Sequence, residues 1–333
     1  MVRGLLVLFL LGQVALSGLC ASNISCESVK SGRVVANVVT VNLADPETRV
    51  SVALAKNGTG HCESFKSIVK RVRPVAAITG TFFDTKTFIP TGDIALFGSV
   101  VHSGCIGSAL CIDANNKASI VPLATGRKTH WGGYETVLCA GPTLVSGGTV
   151  SINLKREGFH NTLCAPTQRT ALGITKSGKL LMVATNKKTS LKGIARLMIK
   201  LHAVDAVCLD GGSSTALYHA GRYLSSTSRP LTNCLVVYSS TKNYEAAKLA
   251  LAPEKLFAQA EQKPVQHSTT LIANTPRQLD LGLQPTATLQ YVSADLRGIS
   301  MTHALASSSA YGSNSTFFPV RIQSQKWSIS MRN

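Results

Sequence analysis

The chain is predicted to fold as an α+β domain with a mixed, largely hairpin-built β-sheet and two main helices, followed by a C-terminal tail of low order. Three observations predict this. Short apolar segments alternate with turn residues over most of residues 26–240, two segments have helical periodicity instead, and periodicity fades after about residue 265. Many strands and few helices, partly arranged as hairpins, are typical of the α+β class.

The first 21 residues have the pattern of a secretory signal peptide. Arg3 gives a positive start, an apolar run follows at 5–11, and small residues at 17–21 offer a cleavage site. A membrane anchor is the alternative, but the run is short and no second stretch of about 18 apolar residues follows. We therefore expect a secreted or extracytoplasmic protein without a transmembrane anchor.

Apolar alternation predicts strands over 34–43 and 49–54, joined as a hairpin by a turn at Asp45 and Pro46. The later apolar segments predict further strands at 75–78, in short pieces over 90–152, at 170–175 paired as a hairpin with 179–185, at 204–209 and at 235–238.

Two segments switch to helical spacing. An apolar stripe predicts a helix over 62–72 that ends before Pro74, and a second stripe predicts a helix over 190–203 with Ser190 as its N-cap. A further helix is predicted within 241–264. Residues 265–333 are rich in Ser, Thr, Gln, Asn and Ala, which predicts a largely disordered tail.

The formal net charge of +18 favours anionic partners through long-range attraction. Only 6 % of residues are aromatic and no dense Lys/Arg run is interleaved with them, so a specific nucleic-acid-binding module is not indicated. A phosphorylated or anionic glycan is the partner we expect, and a generally basic solvated surface is the alternative.

Cysteine usage agrees with export. Eight cysteines follow Cys20, and an even number in a secreted chain predicts disulfides. We expect Cys208 to pair with Cys234 on a neighbouring strand, and Cys105 with Cys111 across a short loop.

No cofactor is predicted, and neither a C-x-x-C pair nor an H-E-x-x-H motif indicates zinc. Asp84, Asp93 and Asp210 have the chemistry to hold a hard cation such as Ca²⁺, but no ligand loop of recognisable spacing surrounds them.

The most informative segment is 205–215, where an apolar strand ends in Asp-Gly-Gly-Ser-Ser-Thr. Gly211 and Gly212 carry no Cβ, so a ligand can approach the backbone and receive hydrogen bonds from its amides. Asp210 supplies the only charge there. A carboxylate beside an anion-binding backbone suits sugar-phosphate chemistry.

Three other segments precede this one in a fixed order: 80–84 (Gly-Thr-Phe-Phe-Asp), 140–145 (Ala-Gly-Pro-Thr-Leu-Val) and 169–173 (Arg-Thr-Ala-Leu-Gly). Together the four resemble the phosphodiester glycosidase family over about residues 75–240. That family hydrolyses the bond between a sugar anomeric carbon and a phosphodiester. The resemblance implies the same activity for this chain.

The resemblance also implies site residues. The catalytic set is Asp210, Arg169 and Asp84, with Asp210 near the anomeric carbon and Arg169 on the phosphate with the Gly211 and Gly212 amides. The implied substrate-binding residues are Thr79, Gly80, Gly211, Gly212, Ser213, Ser214, Arg229 and Asn233. The family usually has Asn at the position of Thr79, whose hydroxyl reaches less far than an amide.

Each assignment has a structural alternative. Asp210 and Asp84 are candidates for stabilising turns, and Arg169 for a structural ion pair. Ser213 and Ser214 are expected to form a hydrogen-bonding wall, since no G-x-S-x-G elbow surrounds them.

Other residues, and the function itself, also have alternative interpretations. Residues 131–134 form either a sugar-stacking loop or a core anchor, and Asp93 and Glu135 are expected at the surface. The Thr79 departure motivates a second hypothesis, a non-catalytic glycan- or phosphate-binding relative, and a basic nucleic-acid-binding protein is a third.

Overall fold

The structure, a computed structural model, describes residues 23–104, 106–123 and 129–253. In those residues the strands form three sheets, accompanied by three α-helices. The predicted α+β class is confirmed. All strand pairs between these residues are antiparallel, so the parallel pairs of a mixed sheet are absent from this part of the chain.

The elements have the following bounds. The seven-stranded first sheet has the spatial order β1 (Ile24–Ser31), β2 (Val34–Val41), β13 (Leu180–Thr185), β12 (Thr170–Thr175), β14 (Ala203–Cys208), β10 (Thr143–Ser146) and β11 (Thr149–Val150). The second has the order β16 (Arg222–Ser225), β15 (Leu217–His219), β4 (Ala76–Thr79), β17 (Asn233–Tyr238) and β3 (Arg49–Leu54). The third has the order β6 (Ser99–His102), β5 (Ile94–Leu96), β9 (Tyr134–Cys139), β7 (Ser108–Asp113) and β8 (Ala118–Pro122). The helices are α1 (Phe65–Val72), α2 (Leu191–Lys200) and α3 (Thr241–Leu251).

One apolar core joins the three sheets. Val207 of the first sheet, Ile78 of the second and Leu138 of the third belong to the same buried cluster. Because side chains alternate along a strand, the opposite faces build separate layers. Helix α2 covers the outer face of the first sheet, and α1 and α3 cover that of the second.

The two predicted helices are confirmed, and so is the predicted cap of the second at Ser190. Ser64 accepts a hydrogen bond from Ser67 N at the start of α1, and Ser190 accepts one from Gly193 N at the start of α2. A Cβ at Gly173 of β12 would lie 2.4 Å from Met198 Cε, so the glycine allows α2 to pack closely on the sheet.

One predicted hairpin is confirmed and another is wrong. Strands β12 and β13 pair antiparallel around the turn at Gly178, as expected. Strands β2 and β3 both form, but β2 pairs with β1 and β13, whereas β3 pairs with β17 in another sheet. The turn after Asp45 therefore carries the chain between sheets.

The predicted disulfide between Cys208 and Cys234 is wrong. Both thiols are free and buried. Cys208 lies in the layer under α2, while Cys234 lies in the layer under α1 and α3, so their side chains point into different clusters. Cys111 is also a free, buried thiol, and Cys105 lies outside the described residues.

Several expectations fall outside the described residues: the signal peptide at 1–21, the part of the 241–264 helix beyond residue 253, and the tail at 265–333. Helix α3 occupies the first part of that predicted helix. Within the described residues, no helix is both long and apolar enough to cross a bilayer.

The prediction that Asp93 lies at the surface is wrong. Its side chain is buried, and its carboxylate accepts hydrogen bonds from Trp131 Nε1 at 2.6 Å and from Gly104 N at 2.6 Å. Trp131 is itself buried, so it anchors the core beside β9 and does not offer an open face to a sugar. Glu135 is exposed, as expected.

We therefore expect Asp93→Ala to lower the free energy of unfolding by about 2–3 kcal/mol, because two donors lose their acceptor. Urea denaturation measures the change. Glu135→Ala, which removes an exposed acid on the adjacent strand β9, is the control and should change stability by less than about 0.5 kcal/mol. Equal effects of the two substitutions would contradict a supporting role for Asp93.

Candidate functional site

The candidate site forms where strands of two sheets end side by side. Asp210 follows β14 of the first sheet, and its backbone N donates to Gly80 O, which follows β4 of the second sheet, at 3.2 Å. Gly80 N in turn donates to Asn233 O at the start of β17. The main chain thus holds the predicted acid against the predicted glycine turn.

Asn233 fixes this junction with its side chain. Its Oδ1 accepts a hydrogen bond from Thr81 N at 3.0 Å, and its Nδ2 donates to Thr232 Oγ1. A Cβ at Gly80 would lie 1.8 Å from Asn233 Oδ1, so only glycine fits there. Both residues shape the site, but Asn233 is 1 % exposed and supports the turn from below.

The other two sequence segments also reach the Asp210 strand. Gly141 N donates to Cys208 O, and Leu209 N donates to Thr170 O. Thr170 Oγ1 donates to the backbone oxygen of Asp210. The structure therefore brings all four segments together around the end of β14.

Asp210 forms an ion pair with Arg229. Arg229 Nη2 lies 2.9 Å from Asp210 Oδ2, and Arg229 Nε donates to Ser214 Oγ at 2.6 Å. The guanidinium carbon lies 4.6 Å from the centre of the Phe83 ring, which is cation–π geometry. The Asp210 side chain is 8 % exposed and that of Arg229 is 30 % exposed, so the arginine is the more accessible member of the pair.

Burial dominates the titration of Asp210. It raises the pKa of the carboxyl above its ordinary value, although the Ser214 hydroxyl, the Arg229 guanidinium and the Gly211 amide all favour the charged form. The neighbouring Cys208 thiol has a pKa raised to about 12 by burial, so it is not a nucleophile at neutral pH.

The amides of Gly211 and Gly212, expected to bind phosphate, already have acceptors. Gly211 N donates to Asp210 Oδ1 at 2.9 Å, and Gly212 N donates to Gln168 O at 2.8 Å. Gly212 has a φ of +58°, which favours glycine. The two glycines therefore shape the turn and orient Asp210, and they do not present free donors.

Within the described residues, no hydrogen bond or ion pair joins the Arg169 guanidinium to Asp210. Its guanidinium donates to the carbonyl oxygens of Leu163 and Ala165 at 2.6 Å each and to that of Thr189 at 3.4 Å. The side chain is 2 % exposed. Of the two alternatives for this residue, the geometry favours a structural role, although with carbonyls and not with a carboxylate.

Asp84 is exposed and stabilises its own turn. Its Oδ1 accepts hydrogen bonds from the backbone amides of Lys86 and Thr87 and from the Thr87 hydroxyl. The Thr87 amide is the largest of the causes that lower the pKa of this carboxyl. This geometry favours the alternative in which Asp84 stabilises a turn.

The remaining predicted residues divide by exposure. Thr79 lies within β4 and is 1 % exposed, so its side chain is in the interior. Ser214 is buried against Asp210 and Arg229, whereas Ser213 is exposed.

A polar cleft of about 550 Å³ adjoins these residues. Its lining includes Gly212 and Ser213 together with Lys187 and Lys188, which lie in the bend between β13 and α2. Sequence reasoning missed these lysines, and it also missed the contact of Phe83 with Arg229. The lysines carry no motif that could have identified them.

The three aspartates with the chemistry to hold a hard cation do not form a common site in the structure. Asp84, Asp93 and Asp210 each have separate partners. In the part of the chain that the structure describes, no group of three or more His, Cys, Asp or Glu side chains is placed to hold a metal ion.

Comparison with known proteins identifies the family of the region that contains these residues. Residues 73–238, which include all four segments and Arg229, match the sequence profile of the phosphodiester glycosidase family. In these residues the chain belongs to the phosphodiester glycosidase family. None of the curated proteins compared with the chain matches it.

Two solved structures resemble the phosphodiester glycosidase domain in fold. The zebrafish N-acetylglucosamine-1-phosphodiester alpha-N-acetylglucosaminidase catalytic domain, auto-inhibited by its pro-peptide, is 19 % identical, with a TM-score of 0.55 over 65 % of this chain and 82 % of that one. A hypothetical protein from Synechocystis is 16 % identical, with a TM-score of 0.50 over 64 % of this chain and 61 % of that one. At such identities the likeness concerns the fold alone.

For Arg169 we expect a loss of stability. Arg169→Met should lower the free energy of unfolding by about 2–4 kcal/mol, because carbonyl groups lose their donor in a largely buried place. Arg196→Met, at an exposed position of α2, is the control and should be near neutral. Urea denaturation measures both. Unchanged unfolding of Arg169→Met together with lost turnover would instead place the guanidinium on the substrate.

Proposed function

We propose that this chain is a hydrolase that cleaves the bond between a sugar anomeric carbon and a phosphodiester. The observation that carries the proposal is the Asp210–Arg229 ion pair at the junction of the four segments, in a chain of the phosphodiester glycosidase family. The substrate class is a glycan or sugar joined through its anomeric carbon to a phosphodiester.

The reaction suits one carboxylate and one cation. The anomeric carbon–oxygen bond breaks, its electron pair stays on the departing phosphate oxygen, and a water oxygen bonds to the carbon while one proton of that water passes to solvent or to the departing monoester. The carbon becomes oxocarbenium-like, so a carboxylate beside it lowers the barrier. Asp210 has that role in our proposal. A phosphate monoester leaves as a stabilised anion, so a guanidinium on it contributes more than a strong general acid.

Arg229 fits the phosphate role better than Arg169. Arg229 Nε and Nη2 contact Ser214 and Asp210, and within the described residues no acceptor is bonded to Nη1. Its side chain is partly exposed and rests on the Phe83 ring, whereas the Arg169 donors face backbone carbonyls. We therefore propose that Arg229, and not Arg169, binds the phosphate.

A non-catalytic sugar-phosphate-binding protein is the second candidate. The observation that favours it is the low exposure of Asp210, whose side chain is 8 % exposed and already paired with Arg229. A ligand held by Arg229 above an inaccessible acid would bind without turnover. Thr79, where the family usually has Asn, adds to this candidate.

We also propose that the protein is exported and that its substrate is an anionic glycan. The leader-like segment at 1–21 supports export, and the net charge of +18 supports an anionic glycan as substrate. Both stay predictions, and detection of the purified mature N-terminus after expression in a secreting host tests the first.

Turnover separates the two candidates. Purified protein is incubated with the methyl phosphodiester of N-acetylglucosamine 1-phosphate and with UDP-N-acetylglucosamine, and free sugar is measured. We expect turnover by the native chain and a loss of at least about 10³-fold in Asp210→Asn, as is common for essential catalytic groups. Asp113→Asn, which changes a turn of the third sheet, is the control and should keep full activity. Binding of the ester without turnover by the native chain would favour the second candidate.

The acid limb of the pH–rate profile tests the identity of the carboxylate. Burial raises the pKa of Asp210, and the active form is the carboxylate. Thus kcat/KM should fall on acidification at a pH above the ordinary Asp range of about 3.9. Removing the positive charge in Arg229→Gln should raise this pKa further and move the limb up by roughly one pH unit, while Arg229→Lys should leave it closer to the native position. Identical limbs in all three proteins would assign the titration to another group.

A further inference from the structure

The cleft beside the Asp210–Arg229 pair is lined by groups that have no role in the reaction proposed above. We define the lysine cleft by Gln168, Lys187, Lys188, Gly212, Ser213 and Ser228, and its volume is about 550 Å³. Its lining consists of hydroxyl, amide and ammonium groups and a glycine, without a carboxylate.

The cleft is built onto the candidate site by short chain links. Gly212 and Ser213, in its wall, directly follow the Asp210–Gly211 peptide. Ser228, which also lines the cleft, directly precedes Arg229, and Ser228 N donates to Ser213 O at 3.0 Å. Asp210 is thus two residues, and Arg229 one residue, from a residue that lines the cleft.

The two lysines are held close to the cleft by fixed backbone. Thr185 N donates to Arg169 O, and Thr189 exchanges two backbone hydrogen bonds with Thr167. Lys187 and Lys188 therefore lie in a bend that is fixed on both sides. Both side chains are exposed, and neither forms an ion pair with any residue that the structure describes.

We propose that the lysine cleft binds a second anionic group on the leaving side of the substrate, beyond the phosphate attached to the sugar. This inference rests on the proposed function and names a substrate class within it: sugars joined through a diphosphate, or through a phosphodiester whose other alcohol carries an acidic group. Two unpaired ammonium groups among hydroxyls attract such an anion, and no acid in the lining repels it.

Two substrates that differ by one phosphate test the proposal: the methyl ester of N-acetylglucosamine 1-phosphate and the methyl ester of N-acetylglucosamine 1-diphosphate. In the native chain we expect a higher kcat/KM for the diphosphate. In Lys187→Ala/Lys188→Ala, kcat/KM should fall about tenfold for the diphosphate and less than about twofold for the monophosphate, as expected for two partly exposed charge contacts. High salt should also lower the ratio of kcat/KM for the diphosphate to kcat/KM for the monophosphate in the native chain, because salt screens exposed charges.

Lys176→Ala/Lys192→Ala is the matched control, because it removes two exposed lysines near the same sheet that do not line the cleft. It should leave the ratio of the two substrates unchanged. Equal losses for both substrates in Lys187→Ala/Lys188→Ala, or no loss for either, would overturn the proposal. A third substrate, whose monophosphate is esterified with glycolate, distinguishes a carboxylate from a phosphate as the second group.

Failure of the proposed function is distinguishable from failure of this inference. If neither ester is hydrolysed, the hydrolase proposal fails, and titration with inorganic pyrophosphate tests the cleft without turnover. Binding that weakens about tenfold in Lys187→Ala/Lys188→Ala, but not in Lys176→Ala/Lys192→Ala, would retain the cleft as an anion site. Equal binding by all three proteins would remove it.

Discussion

The hydrogen bond from Asp210 N to Gly80 O holds the candidate site together, because it joins strand ends that belong to different sheets. Such ends approach each other only where the chain has no side chain in the way, and a Cβ at Gly80 would lie 1.8 Å from Asn233 Oδ1. The position of the acid is therefore set by main-chain contacts on both sides. A group fixed in this way needs little reorganisation when charge develops on a substrate.

The burial of Asp210 makes Arg229 indispensable to the electrostatics of the site. An uncompensated carboxylate in so enclosed a place costs several kcal/mol, and the guanidinium, the Ser214 hydroxyl and the Gly211 amide offset this cost only in part, since the pKa stays raised. The Phe83 ring limits the freedom of the guanidinium. A positive charge that develops near the acid would be stabilised more strongly in this low-dielectric environment than in water.

The sequence predicted elements and segments better than side-chain directions. The stripes of α1 and α2 and the hairpin of β12 and β13 are local patterns, so periodicity was sufficient for them. The pairing of β2 and β3 depends on strands that are distant in the chain, and proximity in sequence predicted the wrong partner.

The candidate site shows the same division. Four segments could be identified because their residue types and order are distinctive, and the structure brings them together around β14. Whether a guanidinium turns toward the acid or toward backbone carbonyls depends on loops such as the one containing Leu163 and Ala165. Spacing alone therefore could not separate Arg169 from Arg229, and the exposed Lys187 and Lys188 belong to no recognisable pattern.

The charges around the acid indicate that binding of an anionic substrate needs cations beyond Arg229. Asp210 and Arg229 together carry no net charge, so a phosphodiester that approaches them gains little long-range attraction from the pair. The net charge of +18 attracts an anion from a distance, and groups near the pair that are not already neutralised add a local attraction. Lys187 and Lys188 are such groups, because no acid lines their cleft. A substrate with two negative charges would use the guanidinium for the group that leaves the sugar and the lysines for the group beyond it, because the lysine cleft begins at residues that lie one or two positions from the members of the ion pair in the chain.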